Sequence, residues 1–107
     1  MDLRVTSKGI EDMPTLKQDA GAKVTAALDR FQDHIQHVTV LLEDETGPHK
    51  QSVDKRCRID LRLTHGGNLT VDEVSEDIVA SLDVALDRLK VAIGRKVGKA
   101  KRGIGAG

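Results

Sequence analysis

The sequence predicts an α+β fold, a two-layer β-α-β-β-β-α sandwich in which two helices pack on one face of a four-stranded sheet. Two segments repeat apolar residues at helical spacing, and four shorter segments carry the β-branched or alternating pattern of strands. Because 107 residues can bury one core and hardly a second, we expect a single domain over residues 1–102. The glycine-rich residues 103–107 are expected to form a flexible tail.

The four predicted strands differ in how clearly their residues alternate. Residues 2–6 alternate polar and apolar side chains, whereas 38–42 are β-branched and apolar, as in a central strand. The clearest alternation is at 57–63, where one face is apolar and the other is charged. The sequence His-Gly-Gly-Asn at 65–68 suits a tight hairpin, so that 69–74 returns as the last strand.

Both predicted helices begin at recognisable signals. Asp12 is a candidate cap for the first helix, and Pro14 stands in its first turn, where a missing N–H costs nothing. Apolar residues then recur at spacings of three and four as far as Ile35. Ser75 is the candidate cap of the last helix, whose apolar period runs through 78–97.

The composition excludes several classes of protein. With one Phe and no Trp or Tyr, the chain has no aromatic platform on which bases could stack. No apolar run approaches the roughly 20 residues that span a membrane, and Asp2 and Arg4 stand where a signal peptide needs apolar residues. A single cysteine cannot form an internal disulfide. We therefore expect a cytoplasmic protein that has no membrane partner.

The formal net charge of zero conceals a strong polarity along the chain. From Arg88 to the end there are seven Lys or Arg residues and no Asp or Glu, whereas residues 1–87 hold ten basic and 17 acidic residues. A helix dipole favours two or three cations at a helix C-terminus, but not seven. A basic block of this size is typical of a surface that binds a phosphate-rich partner.

The helical period predicts where these basic residues lie. Four of them share a stripe about 100° from the apolar centre of the last helix, on a helical-wheel estimate; they are Arg88, Arg95, Lys99 and Arg102. Lys23 and Arg30 are seven residues apart in the first helix and share a side as well. If the helices lie side by side, the two stripes are expected to border a long positive groove between them, suited to a nucleic-acid backbone.

The polar face of the predicted sheet carries a second set of arginines. Arg56, Arg58 and Arg62 alternate with Asp60 on one strand, and Asp72 stands on the next. Cross-strand ion pairing is ordinary on such a face, and we favour it for these arginines. RNA binding by the same residues is the alternative.

No pattern in the chain indicates catalysis or a metal site. The histidines and Cys57 lack the spacing of a zinc site, and Cys57 alternates with core residues like a small buried hydrophobe. No glycine-rich phosphate loop follows a strand. We therefore expect a protein that is not an enzyme and has no cofactor, metal or small-molecule substrate.

The order of elements, shared with double-stranded-RNA-binding domains, and several local segments resemble the ribosome hibernation factors of the HPF/RaiA type. These segments include Leu-Asp-Arg-Phe at 28–31, Val-Thr-Val-Leu-Leu at 38–42 and Asp-Lys-Arg-Cys-Arg-Ile at 54–59. The last helix is similar too, with its acidic start at 76–77 followed by a Lys/Arg run. The resemblance covers about residues 2–102, although no single motif in it is diagnostic.

This resemblance implies a short-form ribosome-associated translation inhibitor. Such a protein binds rRNA of the small (30S) subunit in the decoding channel, where it blocks mRNA and tRNA during stress or stationary phase. The implied rRNA-binding residues are Lys23, Arg30, Arg88, Arg95, Lys96, Lys99, Lys101 and Arg102. The free protein is expected to be a monomer that forms at most a weak dimer. The alternatives are a protein-interaction or dimerisation module and a generic double-stranded RNA binder.

Overall fold

The computed structural model describes residues 1–9, 13–44, 55–65 and 67–106, with side chains except at 13–14 and 98–106. The elements follow in the order β1 (Asp2–Lys8), α1 (Met13–Leu28), a 3-10 helix (Asp29–His34), β2 (Ile35–Asp44), β3 (Lys55–Leu63), β4 (Asn68–Ser75) and α2 (Ile78–Ala106). The predicted α+β class and element order are confirmed.

The four strands form one mixed sheet in the spatial order β1-β2-β3-β4. β1 pairs parallel with β2, which the crossover through α1 allows, and the other two pairs are antiparallel. α1 packs on β1, whereas α2 packs mainly on β4 and β3. Both helices cover the same face of the sheet, and the opposite face, called the open face below, is not covered by either helix.

The core lies between the helices and the covered face. Strand side chains meet there in rows; one row joins Val5, Val40, Ile59 and Val71 across all four strands. The helices contribute two sets of fully buried apolar residues, Ala20, Val24 and Leu28 from α1 and Leu82, Ala85, Leu86, Leu89 and Ile93 from α2. The period-2 and period-3.6 patterns of the sequence therefore identify one common core.

The first helix ends seven residues earlier than its apolar period predicts. α1 stops at Leu28, the chain continues as a 3-10 helix, and Ile35 is the first residue of β2 rather than the last of a helix. Ile35 is buried and pairs with Leu63 of β3. The apolar spacing thus runs on past the helix because the strand that follows needs a core residue at the same place.

The cap of the last helix lies two residues later than predicted. The side chain of Asp77, not that of Ser75, accepts a hydrogen bond from the N–H of Val79 at 3.0 Å and caps α2. Buried Ser81 donates from its hydroxyl to the Lys55 carbonyl at 2.8 Å, which ties the start of α2 to β3. The helical backbone continues to Ala106. The predicted cap Asp12 of α1 lies outside the described residues.

Gly9, directly after β1, lies in close contact with the backbone of β2. Its φ is +72°, and a Cβ at this position would lie 2.6 Å from the Asp44 carbonyl oxygen. We expect Gly9→Ala to lower the free energy of unfolding by about 2 kcal/mol, because strain and clash add. Gly67→Ala is the matched control, since φ is +85° there and nothing lies within 4 Å; about 1 kcal/mol is expected. Equal losses in urea unfolding would contradict the close contact.

Cys57 is fully buried in the covered face. Burial, with smaller contributions from Asp72 and Glu73, raises the pKa of its thiol to about 12. At pH 8 the thiolate fraction is then roughly a thousandfold below that of a free cysteine. We expect the native protein to resist a disulfide reagent such as dithionitrobenzoate and to react at once in urea. Rapid labelling of the native protein would contradict this burial.

Candidate nucleic-acid interface

Lys23 lies where the two helices meet. Its Nζ is 2.9 Å from Oδ1 of Asp83 in α2, and both side chains are about half exposed. This ion pair therefore bridges the space between α1 and α2. Exposed pairs of this kind contribute about 0–1 kcal/mol, so a phosphate can displace the carboxylate at little cost.

Arg88 lies on the opposite flank of α2, towards the edge strand β4. Its Nη1 is 2.7 Å from Oε1 of Glu73, whose side chain is only 17% exposed. Glu73 stands on the covered face, opposite Cys57 in the register. Because a carboxylate in that position needs a compensating cation, Arg88 has a structural role besides any contact it makes with RNA.

These two ion pairs overturn the prediction of a positive groove between the helices. Lys23 faces α2, but Arg88 faces away from α1, and the period places Arg95 on the same outer flank. The space between the helices is instead bridged by Lys23 and Asp83. The helical wheel predicts an angle for the stripe, but it could not predict which neighbour lies at that angle.

Arg30, Arg95 and Lys96 lie at one end of the molecule instead, whereas Lys23 pairs with Asp83 in the second turn of α2, towards the other end. The direction of each helix shows where it ends. α1 runs antiparallel to β1. The His34 carbonyl, which follows α1, accepts a hydrogen bond from the N–H of Thr64 at the β3–β4 hairpin. α2 contacts Lys55 through Ser81 and then Glu73 through Arg88, so it too runs towards the hairpin. We call this the basic end; it holds the last turns of both helices and the start of β1, β2 and β4.

Arg30 and Arg95 are the exposed cations of this end that come from the helices. The Arg30 guanidinium lies over the Phe31 ring, 5.4 Å from its centroid, a cation–π contact that leaves its N–H donors available. Neither arginine has a carboxylate partner among the described residues. Lys96 is exposed next to Arg95.

The remaining predicted residues lie on the last turns of α2. The side chains of Lys99, Lys101 and Arg102 are outside the described residues, but their backbone continues the same helix. Carboxylates are present at the basic end as well, namely Asp2, Asp29 and Asp33. The charge of this end is therefore positive mainly through the carboxyl half of α2.

The open face confirms two of the three predicted arginine pairings. Arg56 Nε lies 3.2 Å from Asp72 Oδ1, and Arg58 Nε lies 3.3 Å from Asp60 Oδ2. Arg62 has no carboxylate partner among the described residues, and its neighbours across the sheet are polar rather than acidic. Sequence reasoning grouped the three arginines because it could not rank their distances from the two acids.

The described residues bring together no cluster of three or more His, Cys, Asp or Glu side chains that could hold a metal ion. In the described part of the chain, no helix has the length and apolarity to cross a membrane. The exposed Arg30, Arg95 and Lys96 side chains supply cationic hydrogen-bond donors at the basic end.

The sequence profile of the family described as “Sigma 54 modulation protein / S30EA ribosomal protein” matches residues 3–101. The chain belongs to this family. Membership in the S30EA family confirms the predicted relation to hibernation factors of the HPF/RaiA type and indicates a ribosome-associated protein.

Two solved structures share the S30EA fold with this chain. The N-terminal domain of Protein Y from Thermus thermophilus is 28% identical, with a TM-score of 0.67 over 89% of this chain and 98% of that one. A ribosomal subunit interface protein from Coxiella burnetii is 15% identical, with a TM-score of 0.69 over 89% and 96%, a likeness of fold alone. A sequence comparison with curated proteins gives no match.

Proposed function

We propose that this S30EA-family protein binds rRNA of the small (30S) ribosomal subunit in the decoding channel and keeps the ribosome inactive. Bound there, the protein excludes mRNA and tRNA, so initiation is blocked during stress or stationary phase. The protein acts in the cytoplasm by binding alone, without a catalytic step or a cofactor. Family membership supports the ribosome as the partner.

The observation that carries this proposal is that Arg30, Arg95 and Lys96 lie at the basic end, where the backbone of the last turns of α2 also runs. The eight residues assigned to rRNA are Lys23, Arg30, Arg88, Arg95, Lys96, Lys99, Lys101 and Arg102. Among the described cations Arg30 and Arg95 contribute most, because neither has a carboxylate partner among the described residues, whereas Lys23 and Arg88 must first release Asp83 and Glu73. Binding is therefore centred on the basic end.

Sedimentation with purified small subunits over a salt series tests the proposal. Neutralising several phosphates predicts that the logarithm of the association constant falls linearly with the logarithm of the salt concentration, by about 0.7–0.9 for each phosphate contact. Subunits already loaded with mRNA and initiator tRNA should not retain the protein. Salt-independent binding, or binding beside tRNA, would contradict the proposed site and favour a protein-interaction module.

A further inference from the structure

The open face carries two arginines that the structure leaves without an acidic partner. Arg4 of β1 and Arg62 of β3 are both exposed, and no carboxylate oxygen lies within 4.0 Å of either among the described residues. The other two arginines of β3 are paired with Asp72 and Asp60. Both of these arginines lie on the half of the face nearer the basic end, which also holds Asp2, whereas Lys8 lies at its other end.

Each of these arginines lines a shallow hollow on the open face. The Arg4 hollow, between β1 and β2, has a volume of about 530 Å³, and the Arg62 hollow, between β2 and β4, one of about 220 Å³. His37 and Thr39 line both hollows and form the ridge between them. A flexible polyanion that crosses this ridge can place one phosphate near each arginine.

Hydrogen-bond donors stand in a row across the second hollow. The register places His37, Arg62 and Asn68 opposite one another on three adjacent strands. Since neighbouring strands are about 4.8 Å apart, the row spans roughly 10 Å. Guanidinium, imidazole and amide groups all supply N–H donors, and a phosphodiester accepts through its unesterified oxygens.

The one carboxylate that lines the Arg62 hollow is already engaged. Asp60 accepts a hydrogen bond from the Thr70 hydroxyl at 2.7 Å and lies 3.3 Å from the Arg58 guanidinium. The Arg58 guanidinium and the Thr70 hydroxyl compensate the negative charge of Asp60, so this carboxylate repels an incoming anion only weakly. The described residues of this face include no Phe, Tyr or Trp, so the face offers no extended aromatic platform for bases, and its N–H donors favour the phosphate backbone.

The position of this row connects it to the helical cations. Asn68 begins β4, the edge strand along which α2 packs, and α2 runs towards this same end of the sheet. Arg95 on α2 and Arg62 on the open face thus lie on opposite sides of the β4 edge at the basic end. Because α2 packs directly on β4, one RNA segment can follow the cations around this edge.

We propose that Arg4, His37, Arg62 and Asn68 form a second RNA-backbone site on the open face, which binds phosphates of rRNA without sequence preference. This inference rests on the proposed function and extends it, because RNA then contacts both layers of the domain.

Charge-neutral variants of the full chain test the site by its salt dependence. Arg62→Gln and Arg4→Gln are each expected to weaken binding to purified small subunits by about 3–10-fold and to lower the salt slope by about one. Lys8→Gln is the matched control, because it removes one charge from the same face at the other end of β1. It is expected to change the affinity by less than about twofold, and thermal unfolding should confirm that all three variants fold.

Site-specific photocrosslinking identifies the partner directly. Because Cys57 is fully buried, a maleimide benzophenone attaches selectively to a cysteine introduced on the surface of the native protein. Asn68→Cys places the probe on the open face, Gly94→Cys places it on α2 where nothing lies within 4 Å, and Glu76→Cys places it at the acidic start of α2. We expect crosslinks to rRNA from the first two positions and few from the third.

The outcomes separate the two proposals. If the unmodified protein does not bind small subunits, both proposals fail. If the Gly94→Cys probe crosslinks rRNA but the Asn68→Cys probe reaches only ribosomal protein or nothing, the proposed function stands and the second site is wrong. Unchanged salt slopes in both Arg62→Gln and Arg4→Gln would overturn the second site in the same way.

Discussion

Replacing Arg95, Lys99 and Arg102 together by glutamate is expected to lower the affinity for the small subunit by at least about 100-fold at 0.1 M salt. Three phosphate contacts are lost and three carboxylates face the RNA instead, so the salt slope should fall by about three as well. Arg95 is exposed and the helical period places the other two positions on the same side of α2, so we expect the fold to be retained. Sedimentation and fluorescence anisotropy with labelled protein measure the loss.

A single-site comparison on the same helix controls for the change in net charge. Arg95→Glu and Lys90→Glu alter the charge equally, but Lys90 lies on the other side of Leu89, with its Nζ 3.9 Å from Asp87. We expect about a tenfold loss for Arg95→Glu and about a twofold loss for Lys90→Glu. Equal effects would show that net charge alone controls binding, and retention of the triple variant at low salt would contradict rRNA binding through α2.

Leu89→Ala is expected to have the largest effect on stability. Leu89 is fully buried at the centre of the inner face of α2, so its truncation leaves a cavity and costs about 3 kcal/mol. In a domain of this size that loss lowers Tm by at least about 12 °C. Urea unfolding followed by circular dichroism measures it. Because α2 carries most of the assigned cations, ribosome binding near the lowered Tm should be lost together with the fold.

Val91→Ala tests whether that cost comes from burial. Val91 is two residues further along α2, and 55% of it is exposed. Alanine has the higher helix propensity, so we expect no loss of stability, or a gain of a few tenths of a kcal/mol. A loss below about 1 kcal/mol for Leu89→Ala, or similar losses for both variants, would contradict the packing of α2 against the sheet.

Local sequence patterns predicted the buried residues of helices and strands but not all of the element boundaries. The alternation in β3 and the apolar period of α2 predicted buried residues correctly, because each pattern reflects a single face against a single core. The same logic extended α1 to Ile35, since a strand residue at that place satisfied the helical spacing by coincidence. Only the pairing of Ile35 with Leu63 assigns it to β2.

The ion pairs also differ in whether the sequence could predict them. Asp60 and Asp72 were predicted to pair with the arginines across the sheet; Arg56 does so with Asp72 of β4, whereas Arg58 pairs with Asp60 two residues further along its own strand. The partners of Lys23 and Arg88 could not be predicted. Lys23 is 60 residues from Asp83 along the chain, and Arg88 reaches a carboxylate on the edge strand.

The amino-acid sequence alone was sufficient to predict the fold class, the family and the basic character of the last helix, because periodicity and charge are properties of short segments. The fold decided where those charges meet. A helical period specifies an angle around the helix axis, but the order of the strands determines whether α1 or the β4 edge lies at that angle. For that reason Arg30, Arg95 and Lys96 lie at one end of the sandwich and not in a groove between its helices.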